Sequence, residues 1–507
     1  MRRKKTDPEL PPLLPFEPGQ ASNGEFVPKE RTRAHQHAAA LAHEMAAEIA
    51  RRRGLDRRRF LQGMGGIAVT LAAINLAGCD DEDTKDLPPG VTSGATYAVP
   101  TDADPDACRK LEGDEFIFDV QTHHVDPEGP WVNESPATAN FFRAFRPDCA
   151  EADRLDCLSR YYYAHDIFLE SDTSLAVLSD TPSLDERQDP LNFREMKRTR
   201  DIINDLSPKD TGRLRLHSIV VPNVGQVQEQ LDTMQARAEA LDVSAWKVYT
   251  PYAGSTGRGW FLDDPQYGIP LIEQARRTGV KTICAHKGLP LFGFDEAYAS
   301  PRDIGVVAKA YPDVNFVVYH SGWYPGTREG PYDPARAERG VNTLIKSLLD
   351  NGVRPNSNVY AELGSTWRNI MSDRTQAAHL LGKLIKYVGE DNVLWGTDCV
   401  WTGSPQPQIV ALRAFQMDPQ FAQQYGYAPL TDEVKRKIFG LNAARLYGVD
   451  PQAARCRIAS DEVERLRMAW REMEGDSHEQ RYAARNPISR RGVLAWFAEH
   501  GGRWSLS

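Results

Sequence analysis

The sequence predicts an α/β fold in which eight parallel strands, each followed by a helix, close into a (β/α)8 barrel. Three observations lead to this prediction. Short apolar runs rich in β-branched residues recur from residue 114 onward, which is typical of strands buried on both faces of a parallel sheet. The ends of successive runs lie about 28 to 58 residues apart, which leaves room for one helix and its loops. Polar residues stand at the ends of six runs, and a closed barrel would bring them to one mouth.

The eight predicted strands span residues 116–121, 175–179, 216–221, 245–249, 282–286, 316–320, 359–363 and 393–398. An open doubly wound sheet is the alternative, but it would spread the polar strand ends along a line. The predicted TIM barrel covers residues 114–450. A leader at 1–78 and a tether at 79–113, acidic and rich in Pro, Gly, Ser and Thr, precede it, and a helical extension at 451–507 follows it.

Composition and charge limit the classes of function. The chain has 507 residues, 41% apolar and 26% charged, which excludes a collagen-like, coiled-coil or wholly disordered protein. Residues 1–78 carry 13 Lys and Arg against 8 Asp and Glu, whereas the remainder carries 48 against 62. The acidic body argues against nucleic acid and against an anionic membrane surface as partners. We therefore expect a small-molecule substrate.

The leader has the order of an export signal. Basic residues 57–59 precede the uncharged run 63–77, and Cys79 follows small residues. At about 15 residues the run is shorter than the ~20 that a transmembrane helix needs. The Arg-Arg-x-Phe-Leu string resembles the twin-arginine signal of proteins exported in the folded state, and Leu-Ala-Gly-Cys at 76–79 resembles a lipobox. The resemblance implies an exported, periplasmic or cell-envelope protein whose membrane contact is a lipid on Cys79. A cytoplasmic protein with a disordered basic tail is the alternative.

The extension predicts two charged amphipathic helices, over 461–473 and 488–500. We expect them to pack outside the barrel or against a second subunit, so the sequence leaves a homo-oligomer open. Six cysteines remain besides the predicted lipidation site. Those at 284 and 399 fall in predicted strands, where free buried thiols are expected. A bridge between Cys149 and Cys157 is one pairing that an oxidising compartment would permit.

The polar residues at the predicted mouth include ligand types that suit a divalent metal. The strand ends carry Gln121, Lys247, His286, His320, Glu362 and Asp398, and His123 lies two residues beyond the first of them. Imidazole and carboxylate suit Zn²⁺, and a site of three protein ligands leaves a position for water. Such a site makes hydrolysis possible at neutral pH. Asp398 would then act as general base, and His320 would hydrogen-bond the developing oxyanion.

Short motifs along the predicted barrel carry a resemblance to a known family. Asp-Val-Gln-Thr-His at 119–123 is similar to the Asp-x-His-x-His signature on strand one of the amidohydrolase superfamily. Ala-His, Tyr-His-Ser-Gly, Trp-Gly-Thr-Asp and a closing helix follow in the family's order, at 285–286, 319–322, 395–398 and 438–448. The resemblance is to the amidohydrolase-related group, which includes non-oxidative decarboxylases and lactone hydrolases. It implies one divalent ion, with Zn²⁺ expected. The implied ligands are Gln121, His123, His286 and Asp398, and His320 beside them is the implied catalytic histidine.

Gln121 departs from the signature, which has a histidine at this position. An amide oxygen is a poor zinc ligand compared with imidazole, so the departure weakens coordination, favours a harder ion or removes catalysis. His124 can replace Gln121 only if the strand breaks or bulges, because neighbouring strand residues face opposite sides. Three interpretations stay open: an active metalloenzyme with altered ligation, a metal-independent enzyme, and a binding protein derived from an enzyme.

Substrate contacts are predicted from charge and aromatic character. The candidates are Lys247, Arg143, Arg328, Trp323, Trp401 and Glu362. Lys247 would hold a substrate carboxylate or pair with Glu362, and a carbamylated lysine that bridges two metals is the less favoured alternative. The two arginines, in segments after the first and sixth strands, would grip a substrate carboxylate. The two tryptophans would line the mouth and favour an apolar or cyclic substrate; otherwise they cover the core.

The sequence thus favours an exported metal-dependent hydrolase that acts on a small amide, lactone or ester through a metal-activated water. A metal-dependent non-oxidative decarboxylase of the same fold is one alternative, and it would need an arginine or lysine opposite the metal. A non-catalytic periplasmic binding lipoprotein is the other alternative, in which Gln121 marks a degenerate site.

Overall fold

The computed structural model describes residues 14–22, 26–78, 81–85, 87–99, 111–145, 149, 151–208, 212–290 and 294–473. In chain order its strands are β1 (Ala95–Tyr97), β2 (Phe118–Thr122), β3 (Leu175–Leu178), β4 (Leu214–Ile219), β5 (Ala245–Tyr249), β6 (Thr282–His286), β7 (Asn315–Tyr319), β8 (Val359–Glu362), β9 (Val393–Leu394) and β10 (Phe415–Met417). Strands β2 to β9 form one parallel sheet in sequence order, and β1 pairs with β10 in a separate antiparallel ribbon.

The parallel sheet closes on itself between its first and last strands. The backbone amide of Val120 donates to the carbonyl of Trp395 at 3.0 Å, and the amide of Asp398 donates to the carbonyl of Gln121 at 2.9 Å. We call these contacts between β2 and the segment after β9 the seam. They join the two ends of the eight-stranded sheet and confirm the predicted (β/α)8 barrel.

The leader is folded against the barrel. Its helices are α1 (Arg33–Arg53), α2 (Arg57–Gln62) and α3 (Met64–Ala77), and α4 (Asp81–Thr84) follows them. Helix α3 contains the uncharged run of the predicted export signal, and its residues Ile67, Leu71 and Ile74 are buried in the main apolar core. Among the described residues, no helix combines the length and apolar character that a membrane span requires. The predicted lipidation site, Cys79, lies outside the described residues.

Part of the predicted tether is folded as well. Ala95 and Tyr97 of β1 are buried, and the Tyr97 hydroxyl donates to the carbonyl of Met371. The expectation of a solvated tether over 79–113 is therefore wrong for residues 95–97. The physical reason is that two alternating side chains of this short strand enter the core while its backbone pairs with β10.

Helices cover the outside of the barrel. In chain order they are α5 (Trp131–Glu134), α6 (Pro136–Arg143), α7 (Arg160–Ala164), α8 (Phe193–Asp205), α9 (Val227–Leu241), α10 (Gly268–Thr278), α11 (Ile304–Ala310), α12 (Val341–Asn351), α13 (Thr366–Ile370), α14 (Arg374–Leu384), α15 (Gln406–Ala414), α16 (Pro419–Tyr425), α17 (Asp432–Arg436), α18 (Asn442–Leu446), α19 (Pro451–Ile458) and α20 (Glu462–Met473). Short 3-10 and π-helical turns extend several of them. The insertion after the first barrel strand contains α5 to α7.

The barrel interior is filled by side chains from its strands. Phe118, Val120, Leu175, Val177 and Leu394 are among them, and all are fully buried. Residues of α18 and α19 belong to the same apolar cluster and close the amino-terminal end of the barrel. The opposite, carboxyl-terminal end is therefore the mouth, which is where chemistry occurs in barrels of this kind.

The extension is joined to the barrel by a buried ion pair. Arg213, which precedes β4, donates from Nε to Asp461 Oδ2 at 2.6 Å and from Nη2 to Oδ1 at 2.7 Å, and both side chains are fully buried. Asp461 immediately precedes α20, so the pair fixes the start of that helix. Helix α20 covers most of the predicted helix at 461–473, and the predicted helix at 488–500 lies outside the described residues.

The described cysteines comprise a disulfide pair, two buried thiols and the exposed thiol of Cys456. Cys149 and Cys157 form a disulfide in the insertion after β2, with Cα atoms 5.9 Å apart. Cys284 and Cys399 are buried free thiols, as expected from their positions in apolar runs. Burial raises the pKa of both thiols to about 12, so neither is a thiolate at neutral pH.

Candidate functional site

Five of the predicted site residues meet at the mouth of the barrel. The end of β2 and the residue after it provide Gln121 and His123, and His286 ends β6. His320 follows β7 directly, and Asp398 lies in the segment after β9 that forms the seam. Each of these five residues is at most 2% exposed to solvent. Residues from four separate strands thus form one buried polar cluster.

The cluster consists of two close groups. Nε2 of His123 lies 3.1 Å from Oδ1 of Asp398, and Nε2 of Gln121 donates to the same oxygen at 2.9 Å. Nδ1 of His286 lies 3.2 Å from Nε2 of His320. His124 points away, to Thr199 of α8, so it does not replace Gln121 even though the pairing of β2 with β3 is irregular here.

Backbone carbonyls fix the tautomer of each imidazole in the cluster. Nδ1 of His123 is 2.9 Å from the carbonyl of Ser179, and Nδ1 of His320 is 2.7 Å from that of Gly364. Nε2 of His286 is 2.8 Å from the carbonyl of Leu289. A carbonyl only accepts, so each of these nitrogens carries the hydrogen.

The remaining nitrogens therefore carry lone pairs, and these face the cluster. Burial lowers the pKa of His320 to about 4 and lowers that of His286 well below its ordinary value, so both rings are neutral at pH 7. Two lone pairs then face each other between these rings, and a third faces the Asp398 carboxylate. Such contacts repel unless a cation stands between them. Metal-bound histidines show the same pattern, since their other ring nitrogen donates to a carbonyl or carboxylate.

The two groups stand further apart than the ligands of one compact site. Among the described residues, the ligand atoms of His, Cys, Asp and Glu come within 4.8 Å of one another in a set of three only at His165, Asp166 and Glu170. There each ring nitrogen of His165 faces a different carboxylate, at 2.9 and 3.4 Å, which is the geometry of an ion-pair network. At the mouth, a shared ion would draw the two groups together.

One further observation agrees with a metal centre at the mouth. Oε1 of Gln121 is buried without a hydrogen-bond partner. A half-turn of this amide exchanges its oxygen and nitrogen and turns the oxygen toward Asp398. The donor set then comprises imidazole nitrogens, a carboxylate and an amide oxygen, which are ligand types that divalent ions accept. The residues present therefore fit a divalent ion.

Asp398 is held by groups that favour its charged form. Burial alone would raise its pKa, but the protonated forms of His123 and His320, together with a hydrogen bond from Ser365, outweigh burial, and the pKa falls below its ordinary value. Oγ of Ser365 donates to Oδ2 at 2.6 Å. The carboxylate is therefore ionised at neutral pH.

The backbone at the mouth is strained. Positive φ angles occur at His320, Ser321, Ser365 and Asp398, with values of 63°, 53°, 53° and 61°. Residues other than glycine rarely adopt this region, and when they do they cluster at functional sites. With this backbone the side chains of His320, Ser365 and Asp398 take part in the hydrogen bonds of the cluster, whereas the Ser321 hydroxyl donates to the carbonyl of Glu362.

Lys247 and Glu362 lie next to the cluster. Burial raises the pKa of Glu362 to about 8, against the opposing effects of the hydrogen bond from the His320 amide and the charge of Lys247. Nζ of Lys247 stands 3.3 Å from the centroid of the Tyr319 ring, a cation–π contact. The effect of the Lys247 charge on the pKa of Glu362 agrees with the predicted proximity of these two residues.

The predicted aromatic residues are placed differently from each other. The Trp401 ring stacks on the His123 ring, with centroids 5.4 Å apart and planes at 18°. Trp323 is also buried, but its described ring contact is with Phe26 of the leader, at 6.2 Å. Trp401 therefore contacts the cluster directly. The described ring contact of Trp323 is with a segment that was predicted to belong to a separate leader.

The two predicted arginines are engaged elsewhere, which corrects their assignment. Arg143 forms a two-pronged ion pair with Asp153, at 2.8 and 2.6 Å. Arg328 pairs with Asp83, beside the leader, at 2.5 Å. Each guanidinium thus has a carboxylate partner from a neighbouring loop, and these contacts do not support a role in gripping a substrate.

Several residues that shape the cluster were not predicted from the sequence. Ser365 supports Asp398, and the carbonyls of Ser179 and Gly364 orient two of the histidines. A Cβ atom on Gly364 would lie 2.3 Å from Oε1 of Gln121, and one on Gly396 would lie 1.7 Å from Oε1 of Glu362. The available signal was the two small residues that directly follow predicted strand seven and the glycine within predicted strand eight.

Comparison with known proteins gives the family. The family model described as Amidohydrolase, of the type Amidohydro_2, matches residues 196–449, half of the chain. The chain belongs to this amidohydrolase family. The match includes His286, His320 and Asp398 but begins after β2, so the strand that carries Gln121 and His123 lies outside it. A comparison with curated proteins gives no match.

Several solved structures are similar to this chain at low identity. The chain is similar to 5-carboxyvanillate decarboxylase from Sphingomonas paucimobilis, with 15% identity and a TM-score of 0.41 over 66% of this chain and 100% of that one. For 2,6-dihydroxybenzoate decarboxylase from Rhizobium the values are 15%, 0.39, 66% and 99%. For an amidohydrolase from Burkholderia multivorans with bound zinc they are 12%, 0.36, 66% and 100%.

Proposed function

We propose that this amidohydrolase is a metal-dependent hydrolase that acts on a small amide, lactone or ester. One observation carries the proposal. Three buried imidazoles donate to backbone carbonyls with one nitrogen and direct the lone pair of the other into a cluster with the Asp398 carboxylate. Without a bound cation this arrangement of buried acceptors contributes nothing to stability, whereas a cation would satisfy all of them.

His123, His286, Asp398 and Gln121 would hold the ion. The nitrogen-rich donor set favours Zn²⁺, and the amide oxygen of Gln121 makes the site more tolerant of harder ions than a third imidazole would. When bound, the ion supplies a lowered pKa for a coordinated water, near ~7, and polarises the carbonyl of a substrate.

The residues of the chain divide the remaining work. Asp398 is ionised and hydrogen-bonded by Ser365, so its free lone pairs can accept the proton of an attacking water. His320 holds its hydrogen on Nδ1 through Gly364, so Nε2 is an acceptor. An oxyanion needs a donor, so this tautomer does not favour the predicted role of His320 as the group that hydrogen-bonds an oxyanion. We assign His320 as a proton acceptor beside Asp398.

Metal analysis of matched variants tests the proposal. We expect about one equivalent of divalent metal in full-length protein purified without chelator. The His123→Gln variant should lose most of it, and His124→Gln, which changes the neighbouring buried histidine outside the cluster, should keep it. A wild-type content below about 0.1 equivalent would overturn the metal-dependent function.

A non-oxidative decarboxylase is the second candidate, and Lys247 favours it. This buried cation lies beside Glu362 and near both histidines of the second group, where it would attract a substrate carboxylate. Turnover of a panel of small carboxylated carbonyl compounds in ¹⁸O-water separates the two. A hydrolase transfers ¹⁸O to its product, whereas a decarboxylase releases carbon dioxide and incorporates none.

We also propose that the protein is exported and carries a lipid on Cys79. The support is the order of basic, uncharged and small residues that ends at this cysteine. Mass spectrometry of the membrane-bound form tests it. Cleavage before Cys79 and a lipid adduct on that residue are expected, and Cys79→Ser should release the protein from membranes. Unmodified Cys79 in a chain that still carries its leader would contradict export by this route.

A further inference from the structure

The first described residues of the leader lie across the mouth of the barrel. We call residues 14–22 and 26–31 the strap. Its Phe26 packs edge-on against Trp323, and the side-chain amide of a strap glutamine donates to the carbonyl of Pro325 at 3.3 Å. Both barrel residues belong to the loop that follows β7, three and five residues after the predicted catalytic histidine. The strap therefore crosses the end of the barrel that carries the candidate metal centre.

A chain of hydrogen bonds connects the strap to the centre. The amide of Ala21 donates to Oδ1 of Asn369 at 3.0 Å, and Nδ2 of Asn369 donates to the carbonyl of Ser365 at 2.8 Å. Ser365 in turn holds the Asp398 carboxylate. Ala21 and Asn369 are 3% and 2% exposed, so this contact is part of the interior. A change in the position of the strap is thus transmitted to Asp398.

The strap also covers a buried arginine, Arg368, on α13. Its Nη1 donates to the carbonyl of Gly19 at 3.2 Å and its Nη2 to the carbonyl of Glu17 at 3.4 Å. The Glu17 carboxylate itself pairs with Arg31, at 2.9 Å. Among the described residues, no carboxylate oxygen lies within 4.0 Å of the Arg368 guanidinium, so its charge has only neutral acceptors.

Neutral carbonyls compensate a buried guanidinium poorly. A guanidinium presents a planar fork of N–H groups that matches the two oxygens of a carboxylate, and buried charges without such a partner are unfavourable. Burial accordingly lowers the pKa of Arg368, to about 10. Two N–H groups of the Arg368 fork are thus paired with strap carbonyls, and a carboxylate that took their place would supply the missing countercharge.

We propose that Arg368 binds a carboxylate group of the substrate and that, in the full chain, the strap covers this arginine with the carbonyls of Glu17 and Gly19. The inference rests on the proposed function and adds the substrate class, a small carbonyl compound that carries a carboxylate. Arg368 thereby replaces Arg143 and Arg328 as the residue that recognises the anion. The substrate enters when the strap leaves the mouth.

Hydrogen exchange in matched arginine variants tests the attachment of the strap. Arg374 on α14 is an appropriate control, because it is equally buried and also donates to two backbone carbonyls, those of Ala95 and Asn75. In the full chain, Arg368→Met should raise exchange over 14–22 by about fivefold or more, whereas Arg374→Met should leave it unchanged. Equal exchange of the strap in wild type and Arg368→Met would overturn its attachment through this residue.

Calorimetric titration with benzoate, a minimal aromatic carboxylate, tests the anion site. The Phe16→Ala/Phe26→Ala variant, which loosens the strap, should bind benzoate about tenfold or more tightly than wild type. Adding Arg368→Met should abolish the gain. Ile458→Ala is the control, because it removes a buried side chain from the apolar cluster at the amino-terminal end of the barrel, which contains no strap residue, and it should behave as wild type.

The outcomes separate this inference from the proposed function. Benzoate binding that survives Arg368→Met, or that is not improved by loosening the strap, overturns the inference. Metal analysis of the same samples reports on the proposed function independently. Protein that contains metal but shows neither effect retains the hydrolase proposal, whereas protein that lacks metal and shows both effects retains the covered anion site.

Discussion

At the scale of single residues, backbone carbonyls determine what the candidate centre can do. Each of the three imidazoles gives its hydrogen to a carbonyl, and each carbonyl belongs to the segment after a different strand. The lone pairs are thereby fixed before any ligand arrives. Preorganised acceptors of this kind need no rearrangement of protons when an ion binds, which favours tight coordination.

The hydroxyl of Ser365 should strengthen metal binding through Asp398. Ser365→Ala removes a 2.6 Å hydrogen bond to the carboxylate. We expect metal affinity to fall by roughly 10–100-fold, the usual effect of removing such a support. Competition with a chromophoric chelator measures it. Ser93→Ala, which removes a buried hydroxyl bonded to the Ala95 carbonyl, is the control, and equal affinities in all three proteins would contradict the prediction.

Gly396 should be required for the position of Glu362. A methyl group there would stand 1.7 Å from the Glu362 carboxylate, so Gly396→Ala must displace a buried side chain. We expect the free energy of unfolding to fall by about 1–3 kcal/mol. Urea unfolding measures it, with Gly330→Ala as control, because a Cβ there meets no atom within 4 Å. A loss of the same size in both variants would refute the steric explanation.

The residues that bind were more predictable than the residues that support them. His123, His286, His320 and Asp398 end apolar runs, so their strand positions alone bring them to one mouth. Ser365 and Arg368 could not be identified in this way. Their partners come from a loop turned by a positive φ angle and from a leader more than 300 positions away, as the 349-residue separation of Arg368 from Gly19 shows.

At the scale of secondary-structure elements, the barrel strands were predictable because parallel strands buried on both faces have a simple apolar pattern. Predicted and observed strand bounds agree closely, as for residues 245–249 and 282–286. The leader was not predictable in the same way. Its uncharged run is typical of a signal peptide and equally of a buried helix, and α3 adopts the second structure in the full chain.

The ion pair that holds α20 should contribute strongly to stability. Asp461→Asn leaves the Arg213 guanidinium buried without a full countercharge. We expect the free energy of unfolding to fall by about 3–5 kcal/mol. Thermal and urea unfolding measure it. Asp350→Asn breaks an exposed pair with Lys346 and should change stability by no more than about 0.5 kcal/mol. A similarly small effect of Asp461→Asn would show that α20 is held by other contacts.

At the scale of the whole molecule, a buried pair of acids after β3 should make stability depend on pH. Burial, together with the charge of Asp189 and a hydrogen bond to it, raises the pKa of Asp180 well above its ordinary value, and burial raises that of Asp189 to about 6. Raised carboxyl pKa values mean that the folded state binds more protons than the unfolded chain. The contribution of this pair to stability should therefore be fullest below about pH 4 and decline as the pH rises through 6 and above.

Asp180→Asn should remove much of this decline. The Asn amide can donate to Asp189 as the protonated acid does, without a second charge at high pH. We expect the variant to exceed wild type in stability by about 1–3 kcal/mol at pH 8 and to match it at pH 4.5. Urea unfolding at both values measures the difference. Identical pH profiles for the two proteins would show that the acids are not coupled to folding.

Because of the seam, the candidate centre forms only when the barrel is complete. Gln121 and His123 come from the first barrel strand and Asp398 from the segment after the last, so no partly synthesised or partly folded barrel contains the site. An ion bound there would hold the closed ring together, because opening the ring along the seam would also break its coordination. Excess zinc should accordingly slow global unfolding more than local fraying.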